Sequence, residues 1–172
     1  MELASLHELY VEGLRDLYSA EHQILKALPK LHKGATNPKV KDAFATHLAQ
    51  TEEHVLRLEE IFTELGISPK GKHCKGMEGL VAEGADLLKE DANPEVLDAG
   101  LISSAQHVEH YEMAGYGTAR TYAQLLGFSK QAELLQQTLD EEQATDLLLT
   151  ELALSVNVDA IVPDEEAAEK SR

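Results

Sequence analysis

Tryptophan is absent from this chain, phenylalanine occurs three times and tyrosine five. A core therefore has to be assembled from leucine, alanine and valine, the usual filling of helical bundles. No run alternates apolar with polar residues, so strands are not expected. A single cysteine, Cys74, excludes an intrachain disulfide framework. Basic residues are scarce: 15 Lys and Arg stand against 31 Asp and Glu, a formal charge of −16. Binding nucleic acid through its phosphates needs a basic face, so that class is not expected, and anionic membrane surfaces are disfavoured on the same ground. The apolar runs are too short to span a bilayer. The opening Met1-Glu2-Leu3 lacks the basic-then-apolar pattern of a signal peptide, which makes a reducing cytoplasm the expected location.

The 172 residues suffice for one domain with a substantial core. Proline and glycine punctuate five helical segments. Helix A runs from about Ser5 to Leu31 or Lys33, with Pro29 expected to kink or tighten its end and Gly34 to stop it. Asn37-Pro38 is a cap followed by proline, and opens helix B, which runs to Leu65 before Gly66. A loop with Pro69, Gly71 and Gly76 leads to a shorter helix over Met77–Glu90. Asn93-Pro94 repeats the start signal for helix C, which runs to Leu126, and Ser129 caps helix D, which ends near Asn157. Residues 1–157 are read as one bundle, and residues 158–172 as an acidic, disordered tail. Short turns force A against B and C against D as antiparallel pairs. The middle segment then makes the single crossover of a one-crossover four-helix bundle.

Inside those helices, carboxylates sit where leucine belongs. Leu135, Leu139, Glu142, Asp146, Leu149 and Ala153 are spaced by fours and threes, the stripe that packs against partner helices. Glu21 interrupts the corresponding stripe of helix A, between Leu17 and Ile24. An unpaired buried carboxylate costs several kcal/mol, and two together cost more unless a proton or cation is shared. Counting residues from the turns puts Glu21 level with Gln50, and Glu142 within roughly 3 Å of the level of Glu112. Glu109 lies one turn from Glu112, His54 one turn from Gln50, and Asp146 one turn from Glu142. Each long helix thus offers oxygen or nitrogen donors near one height, a set suited to a pair of hard cations. On helix B, His47 and Glu53 are alternatives to Gln50 and His54.

The stretches Tyr18-Ser19-Ala20-Glu21, His47-Leu48-Ala49-Gln50-Thr51, Cys74-Lys75-Gly76-Met77-Glu78-Gly79-Leu80, Val108-Glu109-His110-Tyr111-Glu112 and Leu139-Asp140-Glu141-Glu142 with Asp146 carry a resemblance. Together they resemble the YciF family of ferritin-like bacterial stress proteins over essentially the whole chain. The resemblance implies an all-α, ferritin-like (rubrerythrin-like) antiparallel four-helix bundle with a short crossover helix. It also implies a dimetal centre, a homodimer and a link to stress, but no substrate. Its ligand positions are Glu21, Glu109, Glu112, Glu142 and Asp146, with Gln50 and His54 in the helix B slot. Gln50 departs from the bridging glutamate usual in ferritin-like sites, which lowers the ligand charge.

The functional expectation is a pair of metal ions, iron first and manganese or a mixed pair next, reacting with O2 or peroxide. Against it stands a metal-free helical scaffold whose inner acids form a register-fixing network, with Arg57 neutralising part of it. A mineral-storing cage is a third reading. Tyr18 and Tyr116, each one turn from a candidate ligand, are read as interior tyrosines before electron relays. Cys74 beside His73 lacks the partners of a zinc site. His110 is expected outside the centre.

Overall fold

The computed structural model describes residues 3–161. Among them are five helices: α1 (Leu6–Gly34), α2 (Pro38–Leu65), α3 (Lys75–Leu87), α4 (Pro94–Leu125) and α5 (Ser129–Asp159). The start of α1 is fixed reciprocally. Ser5 Oγ accepts from the Glu8 amide at 3.2 Å, and the Glu8 carboxylate accepts from the Ala4 amide at 2.7 Å. Pro29 is exposed, and α1 continues through it to Gly34. Asn37 Oδ1 caps α2 by accepting from the Lys39 amide at 2.9 Å.

Several boundaries differ from the sequence reading. The short helix starts earlier, at Lys75, because Cys74 Sγ caps it by accepting from the Met77 amide at 3.4 Å. It ends at Leu87, where amides at Lys89 and Glu90 bond back three residues and tighten the chain into a turn. Phe128, not Ser129, holds the cap position of α5, and that helix runs to Asp159. Of the expected tail over residues 158–172, the first two residues belong to α5, and those from 162 onward lie outside the described residues.

The four long helices form a square in which α1 packs on α2 and α4, and α5 packs on α2 and α4. Asp98, near the start of α4, meets the start of α2. Its carboxylate accepts from the Thr36 amide (2.8 Å), the Thr36 hydroxyl (2.6 Å) and the Asn37 amide (2.8 Å). Helices α2 and α4 therefore begin at the same end of the bundle. The chain leaving α2 has to return along the bundle's length, and α3, packed on α1 and α4, lies on that path. Asp98 is only 2 % exposed, so removing its carboxylate strands three donors. Asp98→Ala is expected to lower the unfolding free energy by about 3 kcal/mol in urea denaturation.

The aliphatic core is divided. One cluster, including Ile24, Leu28, Phe44, Met77, Leu101, Ile102 and Leu149, fills the end where α2 and α4 begin. The other, including Tyr10, Leu14, Leu58, Phe62, Ala119 and Leu135, fills the opposite end. Between them lies a polar layer.

Candidate metal centre

Each long helix contributes to that layer through the stripe it buries. On α2 the buried stripe is Val40, Phe44, His47, Thr51, His54, Leu58 and Ile61, again in steps of four and three. On α4 it is Ile102, Ala105, Glu109, Glu112, Tyr116 and Ala119. Glu21 takes one place on α1 and Glu142 one on α5. The same leucine periodicity that packs the bundle thus turns four carboxylates and two imidazoles inward. Glu21, Glu112, Glu142 and His54 are fully buried, Glu109 is 1 % and His47 3 % exposed.

The donors fall into two overlapping groups. His47, Glu109, Glu112 and Glu142 form one, and Glu21, His54 and Glu142 the other, each offering atoms within 4.8 Å of one another. Glu142 belongs to both. His54 Nδ1 lies 3.0 Å from Glu142 and 3.4 Å from Glu21, and His47 Nε2 lies 3.4 Å from Glu109. Tyr116 Oη donates to Glu21. Among the described residues, ten buried side-chain nitrogen and oxygen atoms lack a hydrogen-bond partner, and nine belong to these six residues. Both oxygens of Glu112 and both of Glu142 are among them.

Burial sets the protonation of the layer. It raises Glu109 and Glu112 well above the ordinary carboxylate range, and the Glu142 charge adds to the effect. Burial opposes charge on His54, but hydrogen bonds to Glu142 and Glu21 outweigh it and raise the imidazole to about 10. Burial would also raise Glu142, yet the His54 contact leads the effects that hold it down to about 2. Burial lowers His47. Without a cation, then, the layer holds a charged His54–Glu142 pair and protonated carboxyls at Glu109 and Glu112.

The far nitrogen of His54 is anchored. Nε2 lies 2.8 Å from Glu141 Oε2, and Arg57 grips the same carboxylate through two bonds of 2.7 and 2.8 Å. Arg57 therefore neutralises Glu141, not the inner acids. A carboxylate on the remote nitrogen orients an imidazole toward a metal, and losing such a partner typically weakens metal affinity ten- to a hundred-fold. Glu141→Gln is expected to weaken Mn(II) binding by about tenfold or more in a calorimetric titration, with the helical content unchanged.

Of the seven positions proposed from the sequence, five converge: Glu21, His54, Glu109, Glu112 and Glu142. Asp146 does not. The buried face of α5 passes through Thr138, Glu142, Thr145, Leu149 and Leu152, so Thr145 takes the place read as Asp146, and Leu152 that of Ala153. Asp146 is turned outward, where it accepts from Gln106 at 3.2 Å and pairs with exposed His110 at 3.2 Å. Successive residues are about 100° apart around a helix, so with Glu142, Thr145, Leu149 and Leu152 inward Asp146 falls at the edge of the face. Gln50 stays at the margin, half-buried, its Oε1 accepting weakly from Thr145 at 3.5 Å. Glu53 is exposed. His47, ranked behind Gln50 and His54, enters the cluster. Its signal was present, since it sits seven residues before His54 on one stripe. Tyr18 points away and donates to Glu59 at 3.0 Å.

Residues 5–161 match DUF892, described as a domain of unknown function. The chain belongs to the DUF892 family. Within it, the chain is 41 % identical over 156 residues to protein YciF of Escherichia coli K12, covering 90 % of this chain and 94 % of that one. The crystal structure of that Escherichia coli stress protein superposes with a TM-score of 0.87, covering 90 % of this chain and 98 % of the other. YcfI of Rhodopseudomonas palustris, 39 % identical, superposes at 0.84 over 87 % and 95 % of the two chains. A ferritin-like, diiron-carboxylate protein of Bacillus anthracis, 15 % identical, superposes at 0.68 over 88 % and 99 %. That last likeness is one of fold. The family resemblance read from the motifs holds, and the architecture is the ferritin-like four-helix bundle. No helix among the described residues is long and apolar enough to cross a membrane.

Proposed function

We propose that this DUF892 protein is a stress-associated carrier of a dimetal centre, with iron the expected metal and manganese or a mixed pair the alternatives. The observation that supports it is four carboxylates and two imidazoles gathered in one buried layer, with more polar atoms than their mutual contacts satisfy. Buried polar groups of a structural network bond to one another; here the His54–Glu142 and Tyr116–Glu21 contacts leave both Glu112 oxygens and one Glu109 oxygen without a hydrogen bond. Four ionised carboxylates carry the charge that two divalent cations neutralise. Oxygen donors with two imidazoles suit iron or manganese over soft-metal chemistry.

Glu142, which belongs to both donor groups, would serve both ions. Glu21 and His54 would hold one ion, and His47, Glu109 and Glu112 the other. A bound iron pair would supply cycling between ferrous and ferric states toward O2 or peroxide. The chain's own part is to exclude water with the two aliphatic clusters, to fix His54 through Glu141 and Arg57, and to orient the Glu21 carboxylate through the hydrogen bond that the Tyr116 hydroxyl donates to it. A homodimer through the outer faces of α1 and α2, where Leu9 is 39 % and Leu56 55 % exposed, belongs to the same proposal.

The metal-free scaffold is the second reading, favoured by the raised Glu109 and Glu112, which let shared protons stand in for cations. Elemental analysis of protein purified without chelator separates the two. Close to two iron or manganese ions per chain are expected, and both are lost in the Glu21→Ala, Glu142→Ala double variant. Metal-free protein that keeps its stability and cannot be loaded would establish the scaffold. A dimer position in sizing chromatography would remove the storage cage.

A further inference from the structure

Beside the polar layer, a cavity of about 30 Å³ lies between α1, α3 and α4. His47 and Glu109 are at its floor with Ile24, Leu28 and Ala105, all buried. Its outer wall is α3, through Leu80, Val81 and Gly84, with half-buried Leu31 and Val108 beside them. Ser104 supplies the one hydroxyl of the lining. The cavity therefore leads from a half-buried aliphatic rim to one donor group of the centre, the group that contains His47 and Glu109.

The crossover helix is held tightly over it. A Cβ at Gly84 would stand 2.8 Å from Ser104 Oγ, and one at Gly76 2.6 Å from the Tyr111 ring, so both glycines let α3 lie close on α4. At its start, the Cys74 amide donates to Ser19 Oγ at 2.9 Å, and the Cys74 carbonyl accepts from Gln23 at 3.0 Å. The cover is thus tied to α1 as well.

The size and lining select an occupant. A volume of about 30 Å³ accommodates roughly two water-sized spheres, the dimensions of a diatomic molecule. A water molecule needs two to four polar partners, and above the floor only Ser104 is within the lining. Hydrogen peroxide entering there gives up hydrogen bonds that the aliphatic wall does not replace, whereas an apolar diatomic gives up none. A larger engineered cavity of about 150 Å³ with the same kind of aliphatic lining stays dry and takes up xenon.

We propose that this cavity beneath α3 admits and holds a small, uncharged, apolar molecule of the dioxygen class on the His47–Glu109 side of the polar layer. Occupancy of the cavity stands on the aliphatic lining alone; delivery to a metal rests on the dimetal reading above.

Two measurements test it. Crystals of the metal-free protein under xenon pressure are expected to show one xenon atom between Leu28, Val81 and Val108, and none in Val81→Phe. In protein loaded with Fe(II), Val81→Phe is expected to slow oxidation by dissolved O2 by about tenfold while leaving Fe(II) uptake unchanged. Ala27→Leu, filling the same space from α1, repeats both measurements should Val81→Phe fail to fold. Absence of xenon from the wild-type cavity overturns the proposal. So does a xenon-free variant that O2 still oxidises at the wild-type rate, or one in which only peroxide-driven oxidation slows. Wild-type protein that takes xenon but no Fe(II) supports the cavity and sinks the dimetal reading; protein that takes Fe(II) but no xenon does the reverse.

Discussion

Glu112→Leu is expected to make the metal-free protein more stable by about 2 kcal/mol while abolishing its uptake of a second metal ion. The side chain is fully buried, both its oxygens lack partners, and burial already forces it toward the neutral form. Leucine has a similar volume, belongs to the stripe formed by Ala105, Tyr116 and Ala119, and brings no polar atom to satisfy. Glu142→Leu should act oppositely. It leaves the His54 charge buried without its 3.0 Å partner, a loss of about 3 kcal/mol or more. Urea denaturation in chelator reads both stabilities, and elemental analysis reads the metal. Two equal losses of stability would mean that Glu112 is held by bonds the structure does not contain. A stability gain at a residue essential for metal is the mark of a site kept for function.

The second large effect is opposite pH dependence in the presence and absence of metal. In the metal-free protein, raised Glu109 and Glu112 contribute stability at low pH that is lost as pH climbs through their folded values. The contribution of His54 is complete below its ordinary 6.5 and lost as pH rises through about 10. Glu142 contributes above its ordinary 4.5 and loses that contribution as pH falls through about 2. The stability of the layer without metal is therefore greatest in mildly acidic solution and declines toward alkaline pH. Metal binding requires Glu109 and Glu112 without their protons and a free Nδ1 on His54, so it releases protons and strengthens as pH rises, by about tenfold per pH unit for each proton released. Thermal melts with and without Mn(II) should show little metal-dependent gain near about pH 5 and a large one near about pH 8. A gain independent of pH would show that the ion binds elsewhere.

Much of this molecule was legible before any coordinates. The starts of α2 and α4 follow from Asn-Pro pairs, whose capping and fixed backbone angle act within a few residues. The existence of an acidic layer followed from Glu21 and Glu142 in leucine stripes, since periodicity places a residue on the buried side wherever its neighbours are apolar. Which of two adjacent stripes is the inner one was not legible on α5. The reading through Asp146 and Ala153 and the true face through Thr145 and Leu152 share Leu135, Glu142 and Leu149, and differ by a rotation smaller than one residue. Only contact with α2 and α4 decides between them. His47 was demoted for a similar reason: a histidine seven residues from another reads equally as a core residue until Glu109 is seen 3.4 Å away.

By itself the chain determined the helical class, the number and order of the rods, and the fact that carboxylates are buried among leucines. These follow from short-range rules, capping chemistry and the repeat of the α-helix. Tertiary structure decided the composition of the buried polar layer: Asp146 out, His47 in, Glu142 common to both donor groups, His54 anchored by Glu141, and an aliphatic cavity under α3. Those depend on how four helices are rotated and translated against one another, which is set by the packing of all their faces at once and is written in no single stretch.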